Sequence, residues 1–156
     1  MRILPYTDAL APAFQSINTA WIEAMFIMEA HDRHVLAHPR EAIVDRGGMI
    51  LFAEAEDGAI IGTGALMPSD PGAVELTKMG VLLAARGTGA GRALLAALIG
   101  AARGMPGIDT LYLLTSHKCA TAIRLYEAAG FVHDAGIMAR YGSRYARCDV
   151  AMRYPL

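Results

Sequence analysis

"ELTKMGVLLAARGTGAGRALL", Glu75 to Leu95, joins an apolar strand pattern to three glycines, Gly87, Gly89 and Gly91, and then to an apolar helical run. A glycine at the head of a helix costs up to about 1 kcal/mol relative to alanine. Three in five positions therefore ask for a reason. A strand that passes through a glycine-rich turn into a helix makes an anion site. The N–H groups of the first helical turn are free, and the helix dipole adds about half a positive charge. Arg86 and Arg92 flank the glycines with formal charge. The predicted ligand is a phosphate group, most simply a pyrophosphate, held by main chain that side chains do not obstruct. A Walker loop would need a lysine after the glycines, and none follows. A dinucleotide fold would need G-x-G-x-x-G and an acidic residue closing the next strand, whereas here the spacing is G-x-G-x-G and Asp109 opens its strand. A tight helix–strand junction with no ligand is the plain alternative that spacing alone leaves open.

The remainder of the chain bounds the class. Its 156 residues suit a single domain, 1–156. Hydrophobic residues make up 54% and charged residues 19%, without a low-complexity tract, so disorder is not expected. The net charge of −1 argues against a global nucleic-acid or anionic-membrane footprint, while leaving room for a local basic patch. Cys119 and Cys148 supply neither a disulfide framework nor zinc-site spacing. The opening "MRILPYTDAL" is too short in apolar residues for a secretory signal. No uncharged run approaches the ~18–20 residues of a membrane span, so a cytoplasmic location is the expectation.

Outward from the glycine turn, "GGMILFAEA" and "GAIIGTGALM" read as two strands of a hairpin around "EDG". "RILPY" reads as a first strand. Asp8 is placed to cap a helix with Leu10, Phe14, Ile17 and Trp21 on one face. "HDRHVLAHPREAIVD" reads as a second helical piece broken near Pro39. "AVELTKMGVLL" and "IDTLYLLTS" are strands, separated by a helix from about Gly89 to Arg103. "KCATAIRLYEAAG" is a helix ending at Gly130, "FVHDA" a strand, and "ARCDVAMRY" the last strand after a polar loop, "RYGSRY". The order predicts an α/β fold with a sheet of mixed direction.

The stretch from Glu75 also resembles the cofactor-binding segment of the GNAT superfamily of N-acetyltransferases. That family's R/Q-x-x-G-x-G/A stands here as Arg86, Gly89 and Gly91, and its A-x-x-L-Y-x-x-x-G-F as Ala122, Leu125, Tyr126, Gly130 and Phe131. The resemblance implies a mostly antiparallel central sheet flanked by helices, splayed between the fourth and fifth strands. It implies acetyl-CoA as cosubstrate, its pyrophosphate on the amides of Gly87, Thr88, Gly89, Ala90 and Gly91 beside Arg86 and Arg92. The pantetheine arm would pair with main-chain groups of Met79 and Val81. Ser116 stands where the family often has an asparagine against that arm, and "LLAAR" lacks the proline that often precedes the arginine.

Acetyl transfer to an amine needs a base, a polarised carbonyl and a proton for the thiolate. Deprotonating a lysine-like amine of pKa ~10.4 at pH 7 costs roughly 4.6 kcal/mol, and an α-amine near 8 about 1.4 kcal/mol. Glu75 is the candidate base, at the offset before Arg86 where the histone-acetylating branch has a catalytic glutamate; a strand-start ion pair is its plain alternative. Strict alternation puts Glu75, Thr77, Met79 and Val81 on one face of the strand and Lys78 on the other. Tyr126 matches the family's usual proton donor. Its plain alternative is core packing with the hydroxyl bonded to backbone.

The acceptor in this family lies against the first two helices and the loop before the last strand. Trp21, Met25, Phe26, Met28 and Tyr141 are candidates for an apolar wall, and Glu23, Glu29 and Asp32 for holding an ammonium group. His31, His34 and His38 share helical spacing, with zinc a remote reading. Arg140, Arg144 and Arg147 form a basic cluster that could meet a substrate carboxylate, a cofactor phosphate or only water. The expected function is N-acetyl transfer to a primary amine of a small or amino-acid-like molecule, with homodimers common in the family. The alternative is an acyl-CoA sensor without turnover.

Overall fold

The computed structural model describes residues 1–156. Its strands are β1 (Arg2–Pro5), β2 (Met49–Glu54), β3 (Ile60–Pro68), β4 (Ala73–Val81), β5 (Thr110–Thr115), β6 (Val132–His133) and β7 (Val150–Tyr154). They form one sheet in the order β1-β2-β3-β4-β5-β7-β6. Every pairing is antiparallel except β4 with β5. The helices are α1 (Ala11–Met25), α2 (Ala30–Ala37), α3 (Pro39–Ala42), α4 (Ala90–Arg103), α5 (Ala120–Ala129) and α6 (Ala135–Tyr141). None is long and apolar enough to cross a membrane.

Two apolar layers hold the helices to the sheet. On one face α4 buries Leu94, Leu95, Leu98 and Ile99 against Leu51, Leu66, Leu76, Leu111 and Leu113. It can approach closely because β3 has glycines beneath it: a Cβ on Gly64 would stand 2.8 Å from Leu98 Cδ1, and one on Gly62 2.9 Å from Leu94 Cδ1. On the other face Phe14 and Ile22 of α1 pack with Val35, Leu36, Ile43, Ile50 and Phe52. The hairpin around "EDG" forms as its pattern predicts, with Gly58 at φ 87°.

β4 and β5 pair only from Ala73↔Thr110 to Leu76↔Leu113. Beyond that point β5 stays with β7, through Thr115↔Val150, while β4 leaves. The departure coincides with a bulge. Thr63 pairs Gly80 and Ala65 pairs Thr77, so Lys78 and Met79 together oppose Gly64. Lys78 takes φ 51°, the one non-glycine residue in the left-handed region, at a cost of about 1–2 kcal/mol. The bulge corrects the alternation read from sequence. Met79 and Val81 join Leu76 against the α4 layer, whereas Lys78 shares the opposite face with Glu75 and Thr77, all three meeting Tyr145.

Two other expectations change. Asp8 does not cap: it lies in a 3-10 turn begun by Thr7, and pairs with Arg40 at 3.2 Å. The segment after β6 contains α6, absent from the sequence reading, capped by Asp134 Oδ1 accepting from Ile137 N at 2.9 Å.

Candidate active site

A cleft of about 980 Å³ opens where β4 and β5 part, near the upper end of the roughly 300–1,000 Å³ usual for small-molecule sites. Its walls are the free edge of β4, the end of β5, the turn into α4, one side of α5, the end of α1 and the loop before β7.

The glycine turn forms its mouth. Gly87 and Gly89 have φ 83° and 89°, which an L side chain rarely adopts, and the space over both is open. Gly91 is different: a Cβ there would touch Leu125 Cδ2 at 3.4 Å, so its role is helix packing. Gly89 is the residue before α4, and the first i→i−4 bond runs from Ala93 N to Gly89 O at 3.0 Å. The N–H groups of Ala90, Gly91 and Arg92 therefore have no partner within the helix. Arg86 and Arg92 line the cleft beside them, and no carboxylate pairs with either.

Tyr126 lines the cleft from α5 and is 8% exposed. Its ring packs edge-on against Phe131, and its hydroxyl neither bonds to backbone nor is sealed from the cleft. Burial pushes its phenol well above the ordinary value, with Cys119 acting in the same direction. Ser116 also lines the cleft, its hydroxyl accepting from Lys118 N at 3.2 Å at the turn into α5.

Glu75 lies off the cleft. It is 1% exposed, its Oε1 ion-paired with Arg144 Nη1 and its Oε2 accepting from Tyr145 Oη at 3.3 Å. Burial pushes its carboxyl up, against the pull of Arg144 and Lys78. Tyr145, which the sequence reading did not single out, is the group through which Glu75 meets the cleft wall. Its hydroxyl lies 3.4 Å from both Thr77 Oγ1 and Lys78 Nζ. Burial, followed by the charge of Glu75, holds its phenol far above 10 and so protonated.

Behind this wall is an ionic cluster. Asp32, fully buried, receives Lys78 Nζ at 2.7 Å and both terminal nitrogens of Arg147 at 2.7 and 2.8 Å. Burial alone would raise its carboxyl, but Arg147 and Lys78 prevail and hold it well below the ordinary range. Glu29 caps α2 and takes Arg147 Nη1 at 3.3 Å. The three arginines are thus divided among separate acids: Arg140 with Asp70, Arg144 with Glu75, Arg147 with Asp32 and Glu29. They make no free basic cluster.

Trp21, Met25 and Phe26 wall the cleft. Trp21 packs directly on Gly80, where a Cβ would come within 2.5 Å of its ring, and donates to Asn18 Oδ1 at 2.9 Å. Met28 instead packs against the α1 layer, and Tyr141 stacks on Tyr112 at 4.2 Å. His31 packs edge-on to Tyr145 with Nε2 buried and unpartnered, while His34 and His38 lie against each other. No group of His, Cys, Asp and Glu residues is arranged to hold a metal.

The sequence matches the model of the acetyltransferase (GNAT) family over residues 9–131. The chain belongs to that family. A GNAT-family acetyltransferase from Staphylococcus aureus superposes with a TM-score of 0.86 at 20% identity, covering 98% of this chain and 97% of that one. A putative acetyltransferase from Salmonella typhimurium, solved with its cofactor acetyl-CoA, has a TM-score of 0.75 at 26% identity, with 100% and 94% coverage. A ribosomal-protein-alanine N-acetyltransferase from Brucella melitensis has a TM-score of 0.75 at 27% identity over 100% of both chains. No curated protein matches the sequence.

Proposed function

We propose that the protein is an N-acetyltransferase that uses acetyl-CoA and acetylates the primary amine of a small molecule. The observation that supports this most is the cleft between the parted β4 and β5, with unpaired cations and free helix amides at one end and Tyr126 on its wall.

Acetyl-CoA, when bound, supplies an acetyl group activated as a thioester. Gly87, Thr88, Gly89, Ala90 and Gly91 would hold its pyrophosphate through main-chain N–H groups, with Arg86 and Arg92 adding charge. Main-chain groups of Met79 and Val81, on the edge of β4 that β5 no longer covers, would hold the pantetheine arm, with Ser116 facing it from the turn after β5. Tyr126 keeps a proton on its Oη, available to a departing thiolate, because burial disfavours the phenolate.

Glu75 serves as the base through Tyr145. An amine against Tyr145 Oη gives its proton to that oxygen as the tyrosine passes its own to Glu75 Oε2. Burial of Glu75 raises its basicity toward that of the amine, which reduces the mismatch the relay has to overcome.

The test is free-thiol release from acetyl-CoA across a broad amine panel, with a calorimetric acetyl-CoA titration alongside. Turnover with an amine establishes N-acetyl transfer. Binding without turnover on any amine would favour a sensor, and absence of binding would sink the cofactor assignment.

A further inference from the structure

Every charged side chain on the cleft wall is a cation: Lys78, Arg86, Arg92, Lys118, Arg124 and Arg147, with no aspartate or glutamate. Arg86 and Arg92 flank the phosphate turn, and Arg124 projects from α5. At the other end Lys78 and Arg147 are matched by Asp32 and Glu29. Lys118 has no acidic partner. Its Nζ lies 5.8 Å from the centre of the Phe26 ring, and the Arg147 guanidinium lies 5.5 Å from the same ring. Phe26 is therefore framed by two cations, one unneutralised. Arg147 commits its terminal nitrogens to Asp32 and Glu29, leaving Nε without a protein partner.

Resting on the N-acetyltransferase reading, we infer that the acceptor is an amino acid with an apolar side chain, its carboxylate received by Lys118 beside Arg147. Three observations converge on this class. The cleft wall at the acceptor end carries Lys118 without an acidic partner and no carboxylate to greet a second ammonium, so a diamine or polyamine would find no partner there for its second charge. Trp21, Met25 and Phe26 give that end an apolar wall able to take an aliphatic or aromatic side chain. Glu75 reaches the cleft only through Tyr145, so the wall sets no carboxylate against the acceptor's own.

The experiment compares matched acceptors: leucine, leucinamide and isoamylamine, then phenylalanine, phenylalaninamide and phenethylamine, by thiol release. N-acetylleucine and N-isoamylacetamide are also titrated calorimetrically in the presence of CoA. The expected result is kcat/KM at least tenfold higher for each acid than for its amide or decarboxylated amine, and tighter binding of N-acetylleucine than of the uncharged product. Lys118→Ala should bring the acid-to-amide ratio toward one. Equal or better turnover of the uncharged acceptors would overturn the inference while leaving N-acetyl transfer standing. So would an unchanged ratio in Lys118→Ala, or failure of N-acetylleucine to bind. Calorimetric binding of acetyl-CoA with no amine turned over would count against the acetyltransferase reading itself.

Discussion

Tyr145 stands between Glu75 and the cleft, its hydroxyl 3.3 Å from Glu75 Oε2 while its ring forms part of the cleft wall. If the relay operates, Tyr145→Phe should lower kcat by roughly ten- to a hundredfold, within the range of a lost acid–base group. The acetyl-CoA affinity should stay near that of the wild type. Because the relay matters most when the amine is protonated, the deficit should narrow as pH rises toward the acceptor's pKa. A pH-rate profile checks this, and a deficit that is flat with pH would assign Tyr145 to positioning alone.

Glu75→Gln makes a companion test with a different signature. It removes the relay's proton acceptor and also the partner of Arg144, whose side chain is about three-quarters buried. Breaking a buried pair from one side costs about 3–5 kcal/mol, so this variant should unfold at lower denaturant as well as turn over slowly. Denaturant melts of the two variants separate the effects: Tyr145→Phe should lose activity out of proportion to stability, and Glu75→Gln should lose both.

The contrast between these residues shows what the sequence made legible. The glycine turn, the Tyr126 helix and the β2–β3 hairpin are local patterns, and each falls where its pattern places it. The face assignment along β4 failed because the bulge at Lys78 and Met79 depends on what β3 puts opposite, a single residue, Gly64. Nothing in "ELTKMGV" announces that. Tyr145 lay in a stretch read as a polar loop and Arg147 in one read as the last strand, which begins only at Val150; their roles come from partners such as Glu75 and Asp32, 70 and 115 residues away. The missed helix α6 did carry a signal. Asp134 is followed by Ile137, Met138 and Tyr141 at helical spacing, with Ile137 and Tyr141 buried.

Asp32 should dominate acid stability. Its folded carboxyl lies below its ordinary value; the stabilisation it contributes is present above the unfolded pKa of about 3.9 and fades as pH falls through that value toward the folded one. Asp32→Asn leaves Lys78 and Arg147 buried beside a neutral amide, which should cost about 3–5 kcal/mol at pH 7. Urea unfolding at several pH values checks both points. The gap between wild type and variant should shrink below about pH 4, and a gap constant down to pH 2 would remove Asp32 as the source.

The three glycines of the turn should respond unequally. Gly91→Ala meets Leu125 at an ordinary contact distance and should bind acetyl-CoA within a few-fold of wild type. Gly89→Asp forces a side chain into φ 89° and sets a carboxylate where the free amides of α4 gather. Calorimetry should find acetyl-CoA binding weakened at least a hundredfold. Near-normal affinity in Gly89→Asp would mean that the phosphate lies elsewhere.

Tyr126→Phe isolates the proton held over the cleft. The hydroxyl has no protein hydrogen bond to lose, and the ring's contact with Phe131 survives, so stability and acetyl-CoA affinity should hardly change. Turnover should fall by roughly ten- to a hundredfold if the phenol supplies the thiolate's proton. The deficit should shrink with an acyl donor whose thiol is more acidic than that of CoA, because a better leaving group needs less help. Comparing kcat for the two donors in wild type and variant reads this directly. An equal loss with both would assign Tyr126 to shaping the cleft wall, with the proton arriving from water.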